Sequence, residues 1–215
     1  MSEPALADQS TGLSRSVGNF ADLVAASTPT PGGGSVAAYC GVLAASLGQM
    51  VCNLTIGKKK YAEAEPRLKE IKAQLEQLSS RMRELIGEDA ASFESVLCAY
   101  RLPKATDEER SEREAQIQIA LGGAAAVPLE TAQRGFEVSK LLGELSEIGN
   151  PNAISDVAVG AQLAQVAVRG ACYNVSVNLD SIADRESADR TRLHLMTMIE
   201  QSSTIADEVE AKLKM

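Results

Sequence analysis

The sequence predicts an all-α protein, and three observations carry that prediction. Of 215 residues, 32 are alanine, the residue with the highest intrinsic helix propensity. Aromatic residues make up only 3% and there is no Trp, so the aromatic and β-branched alternation that marks strands is scarce. Apolar residues instead recur at spacings of three and four between glycine and proline punctuation. The reading is a bundle of about seven or eight helices with two buried apolar helices at its centre. Residues 1–12 read as a flexible N-terminal segment and 13–215 as a single helical domain.

The elements follow in order. A short helix covers about Ser14 to Ala26 and ends at the Pro29–Ser35 break, PTPGGGS. A long helix runs from about Ser35 to Ile56, with Gly57 in the place of a C′ glycine. It is apolar all round, with Ala37, Gly41, Ala45 and again Ala44, Gly48, Cys52 interleaved. Small residues in that pattern mean close neighbours on every side, in a bundle centre or a subunit interface. Pro66 suits the first turn of the next helix. Leu68, Ile71, Leu75, Leu78, Met82 and Leu85 form its heptad-like seam. Seven residues beyond Met82 the seam meets Asp89, and seven further Val96, with Gly87 positioned to bend the helix between. Pro103 closes this element.

Thr106 and Glu109 form a capping-box pattern that opens another helix. Gly122 to Glu130, GGAAAVPLE, predicts a kink or break at Pro128. The periodicity resumes through Leu129, Ala132, Phe136, Leu141 and Leu145 and stops at Gly149. After the Asn150-Pro151 turn, Asn152 or Ser155 starts a second largely apolar helix that reaches about Asp180. A last amphipathic helix runs from about Glu186 to Lys212.

Composition excludes several function classes. The formal charge of −8 repels nucleic acid and anionic membranes. A single histidine, His194, cannot build a site that needs two or three, and its LHLM setting reads as a packed or surface side chain. Cys40, Cys52, Cys98 and Cys172 contain no CxxC and read as reduced core residues, which suits a cytoplasmic protein. The N-terminus has neither the basic nor the apolar region of a signal peptide. The apolar run Ser35–Leu54, interrupted by Gln49 and Asn53, reads as a buried helix and not a membrane span.

Four features could carry chemistry. Gly32, Gly34 and Ala37 match G-x-G-x-x-A, but prolines stand where a strand is required and no βαβ unit follows, so a Rossmann site is excluded. Three glycines at a helix N-terminus still present N–H groups beside a positive dipole end, unless they serve only as a tight turn. Lys58, Lys59 and Lys60 are a basic run in an acidic chain, readable as a solvated helix end or as a local anion site. Asp89 on a core stripe is paired, raised in pKa or facing a cavity, unless the helix turns it outward. Asp156 compensates a helix dipole or serves a site. Asn174, 18 residues on, shares its face but lies roughly 27 Å away, too far for one small site. Asn178 continues that face, and asparagines in an apolar helix need partners.

Taken together, FADLVAASTPTPGGGSVAA, MVCNLTIGKKKY, EDAASFESVLCAYRLPK, AVPLE, IGNPNAISDVAVGAQL and NVSVNL occur in that order from Phe20 to Leu179. This resembles the formiminotetrahydrofolate cyclodeaminase / methenyltetrahydrofolate cyclohydrolase family. The resemblance implies an all-α homodimer with a tetrahydrofolate derivative in a cleft near the subunit interface. It implies no cofactor beyond that substrate and no metal, while the acidic charge already argues for no nucleic acid and no membrane. It places Pro31, Gly32, Gly33, Gly34, Ser35 and Asn53 along the folate and Lys59, Lys60 and Tyr61 at its mouth or wall. Asp89 or Asp156 would be the base or electrostatic partner, and Lys58 or Lys104 the proton donor. Cys52 stands where the family commonly has Ala, a conservative change. No formiminotransferase domain is attached, which favours hydrolysis of 5,10-methenyltetrahydrofolate to 10-formyltetrahydrofolate. The alternatives are formiminotetrahydrofolate cyclodeamination with release of ammonia and a non-catalytic folate-binding dimer.

Overall fold

The computed structural model describes residues 17–213. The expected N-terminal segment 1–12 lies outside the described residues. Six α-helices are found among them: α1 (Val17–Val24), α2 (Gly33–Thr55), α3 (Glu65–Tyr100), α4 (Asp107–Ile148), α5 (Ile154–Leu179) and α6 (Arg185–Glu210). Single 3₁₀ turns at Lys59–Tyr61 and Pro151–Ala153 join α2 to α3 and α4 to α5. No strand occurs among the described residues.

The count is lower than seven or eight for a physical reason. The kink or break expected at Pro128 does not interrupt α4, which continues through it, and α3 passes unbroken through Gly87, where only a bend was expected. Proline has no N–H, so the carbonyl four residues back loses its helical donor. That carbonyl belongs to Ala124, and the Asn178 side chain on α5 donates to it at 2.9 Å. The tertiary bond replaces the missing helical one. The capping box forms as expected: Thr106 Oγ1 accepts from the Glu109 N–H, and a Glu109 carboxylate oxygen accepts from the Thr106 N–H, each at 3.2 Å.

The seam of α3 is buried from Leu68 to Leu85 and packs antiparallel against α2. Its knobs meet glycines spaced seven apart on α2. A Cβ added to Gly48 would lie 2.7 Å from Leu75, and one on Gly41 would lie 2.4 Å from Met82. The third glycine of the series, Gly34, faces Asp89. On its other side α2 runs antiparallel to α5, with Gly33 near Asn174 and Ala37 near Gly170. Arg67 to Glu144 and Arg81 to Glu130 tie α3 to α4 along the outside.

Two helices buried on every side are not observed within one chain. Of α2, Leu43, Met50 and Leu54 stand exposed, and of α5, Val159, Val166, Tyr173 and Val177. Each set falls on one helical face. Helix α2 has the length and apolarity of a membrane span, but its glycine face is occupied by α3. All four cysteines are free. Cys52 and Cys172 are buried and their thiols are pushed up to about 11, whereas Cys98 departs from the core reading by standing exposed on α3.

Candidate active site

The start of α2 opens into a cleft of about 370 Å³, within the range of small-molecule sites. Its floor is the Gly32–Gly34 segment, reached from Pro29 and Thr30 across a cis Thr30–Pro31 bond. Helix α3 supplies Asp89, Ser92, Phe93 and Val96 to one wall. Helix α5 supplies Tyr173, Asn174, Val177 and Asn178 to the other, and Ala124 of α4 closes the back. Among the described residues, no lysine, arginine or histidine lines it.

Asp89 is held here by the backbone of another helix. The N-cap position of α2 is Gly32, which has no capping side chain, so the first N–H groups need an outside acceptor. The Asp89 carboxylate supplies it. It accepts from the Ser35 backbone N–H and from the Ser35 hydroxyl, whose Oγ lies 3.0 Å from Oδ2 and 3.1 Å from the Ile86 carbonyl. A Cβ on Gly34 would sit 2.1 Å from Oδ1, so only glycine leaves room for the carboxylate. Burial pushes the Asp89 pKa upward, and the two bonds from Ser35 pull against that shift. Asp89 makes no salt bridge with any described residue. It is a desolvated carboxyl beside a cavity, the arrangement that suits a general base or a counter-charge.

The other expected site residues are distributed more widely. Gly32, Gly33 and Gly34 line the cleft, with Ser35 buried beneath them and Pro31 half-buried just before. Lys58, Lys59, Lys60 and Tyr61 lie at the opposite end of α2. For 23 residues that is roughly 33 Å at 1.5 Å per residue. There Tyr61 Oη donates to Asn150 Oδ1 at 3.3 Å, and Thr55 Oγ1 accepts from the Asn150 N–H at 3.1 Å. The three lysines are exposed, and Lys60 lies over the Tyr61 ring at 5.3 Å. Asp156 belongs to this end, in the first turn of α5. Asn53 faces a separate shallow groove with Lys69, Lys72 and Glu76. Lys104 is exposed in the α3–α4 turn. One chain therefore does not gather these residues into one site.

Several cleft residues were not anticipated. Ser92 and Phe93 follow Asp89 by three and four positions, the same-face spacing of a helix, which would have marked them. No three His, Cys, Asp or Glu side chains converge to hold a metal among the described residues.

Comparison with known proteins identifies the lineage. Residues 16–196 match the family model described as formiminotransferase-cyclodeaminase. The methenyltetrahydrofolate cyclohydrolase of Methylorubrum extorquens is 40% identical over 91% of this chain and 94% of its own. The formimidoyltransferase-cyclodeaminase of Rattus norvegicus is 33% identical over 94% of this chain, which spans only 37% of that longer protein. Among solved structures, a formiminotetrahydrofolate cyclodeaminase from Thermotoga maritima superposes with a TM-score of 0.82 at 31% identity, covering 93% of this chain and 96% of its own. With a carboxylate-bearing cleft formed by the PTPGGGS block, and with that likeness along most of its length, the chain belongs to the formiminotransferase-cyclodeaminase family.

Proposed function

We propose that this protein hydrolyses 5,10-methenyltetrahydrofolate to 10-formyltetrahydrofolate, with the cleft at the start of α2 as the reaction site. The observation that carries the reading is the desolvated Asp89 carboxylate in a cleft that no cationic side chain lines among the described residues. The methenyl bridge is an amidinium cation between N5 and N10, and a fixed carboxylate beside it stabilises that charge. Water attacks the bridging carbon, forming a C–O bond while Asp89 takes a proton. The C–N5 bond then breaks, N5 leaves with a proton, and the formyl group stays on N10. The balance is one water consumed and one proton released.

The 40% identity to a named cyclohydrolase over nearly the whole of both chains supports hydrolysis. The Thermotoga and rat relatives support the second reading, cyclodeamination. There N10 attacks the formimino carbon and ammonia leaves. Loss of methenyltetrahydrofolate absorbance faster than in buffer is the result expected of the purified protein. A rate equal to buffer, with ammonia released from the formimino compound, would select the second reading. Folate binding with neither activity would leave a binding protein.

The reading extends to a homodimer. The exposed apolar residues of α2 and α5 lie on adjacent antiparallel helices, and faces of that kind mark subunit contacts. A second copy packed across the middle of α2 with its own α2 antiparallel would bring its Lys58–Tyr61 end towards the Gly32–Gly34 end of the first. The lysines would then flank the cleft mouth, where an anionic glutamate tail leaves it. Free cysteines suit a cytoplasmic location.

A further inference from the structure

Asn174 and Asn178 are two polar groups of the cleft that the reaction chemistry leaves unused, and their orientation is fixed from behind. Asn178 Nδ2 donates to two carbonyls, Ala124 O at 2.9 Å and Asn174 O at 3.0 Å. Both amide protons are consumed, so Oδ1 is the atom turned away from those carbonyls. The first bond exists because Pro128 leaves the Ala124 carbonyl without its helical donor. Asn174 Nδ2 donates to Gly170 O at 2.8 Å, and its Oδ1 is likewise spare. Neither Oδ1 has a hydrogen-bond partner among the described residues. One helical turn separates the two residues, so their Cβ atoms stand roughly 6 Å apart and both acceptors belong to the α5 wall. Phe93 and Tyr173 add partly exposed aromatic rings to the lining. The ligand that matches is a flat ring with N–H donors along one edge.

We propose that Asn174 and Asn178 recognise the donor edge of the reduced pterin, its 2-amino and ring N–H groups, and so set which ring system enters. The proposal rests on the folate reading above and assigns the α5 wall to ring recognition, leaving Asp89 to the one-carbon bridge. Losing one such bond while its buried partner stays unpaired weakens binding by ~10-fold or more.

The test is calorimetric titration of the full-length protein with two reduced folate analogues, one carrying the 2-amino group and one a methyl group in its place. The wild-type protein is expected to prefer the amino compound by ~10-fold or more. Asn174→Leu and Asn178→Leu are each expected to cut that preference to within about three-fold and to raise KM about 10-fold with kcat nearly unchanged. Equal affinity of the wild-type protein for both analogues would overturn the proposal without any variant having to fold. A preference that survives in both variants, with helicity unchanged by circular dichroism, would overturn it too. Binding of neither analogue to the wild-type protein would overturn the folate reading itself, a result distinct from binding without discrimination.

Discussion

The two ends of α2 solve the same problem in different ways. At its start, a helix with no capping side chain takes its cap from a carboxylate on α3, 54 positions away. At its finish, Gly57 turns the chain with φ +81°, and Thr55 and Tyr61 bond to Asn150 of the α4–α5 turn while three lysines face solvent. The first end holds a desolvated charge next to empty space. The second holds solvated charges with no ion-pair partner among the described residues. Under the proposed function, one end of α2 supplies the reaction centre, and the other offers its charges to whatever lies outside the chain.

Gly34→Ala should have the largest effect. The new Cβ would occupy the place of Asp89 Oδ1, so turnover should fall at least ~100-fold and stability by about 1–3 kcal/mol. Gly57→Ala, at the other end, should cost about 1–2 kcal/mol through its left-handed backbone and leave activity per folded molecule intact. Equal activity losses in the two variants would erase the contrast.

Next is Asp89→Asn, which keeps size and removes charge. Activity should drop by about 10²–10⁴-fold, while the melting temperature at pH 8 should match or exceed the wild type. The direction follows from linkage. A carboxyl whose pKa is raised by folding contributes stability below its unfolded pKa, and that contribution is lost as pH rises through the folded pKa. The neutral amide escapes that loss. A cooperative melt far below the wild type would make Asp89 a structural cap and nothing more.

The pH profile is a gentler probe of the same end. Burial favours the protonated acid, which cannot act as a base. The acid limb of kcat/KM should therefore lie above the range of an exposed aspartate. Ser35→Ala, which removes one bond to the carboxylate, should move that limb further up. An unmoved limb would detach the limb from Asp89.

Replacing Lys58, Lys59 and Lys60 together by alanine should give the smallest effect. KM for a polyglutamylated substrate should rise about five-fold, with kcat and melting temperature nearly constant. The increase should shrink at high salt. A fall in kcat would place these lysines in the chemistry instead.

Much of this was legible in the sequence, and the failures are instructive. The α3 seam foretold every buried apolar side chain from Leu68 to Leu85, though not the buried Ser79, because period and apolar burial have one cause. Asp89 was legible as a carboxylate on that seam. Its holder was not read, although Gly34, Gly41 and Gly48 repeat at the same seven-residue interval as Leu75, Met82 and Asp89. The break at Pro128 failed because its compensation comes from Asn178, on another helix and 50 positions later. Within one chain, Lys58 and Gly32 stand at opposite ends of α2. Motif order alone suggested one site, yet the length of the helix between the two motifs already separated them.

The glycine ladder has one more consequence. Three equal notches spaced by two turns admit α3 in more than one alignment, since a two-turn slide would drop Asp89 into the Gly41 notch and Met82 into that of Gly48. What forbids the slide is the charge. An unpaired carboxylate drawn into that apolar notch costs several kcal/mol. A lone polar residue on such a seam is a known selector of alignment. Asp89 thus serves as a stop that tells the two helices where to halt, and the residue proposed to move a proton also indexes the fold that places it.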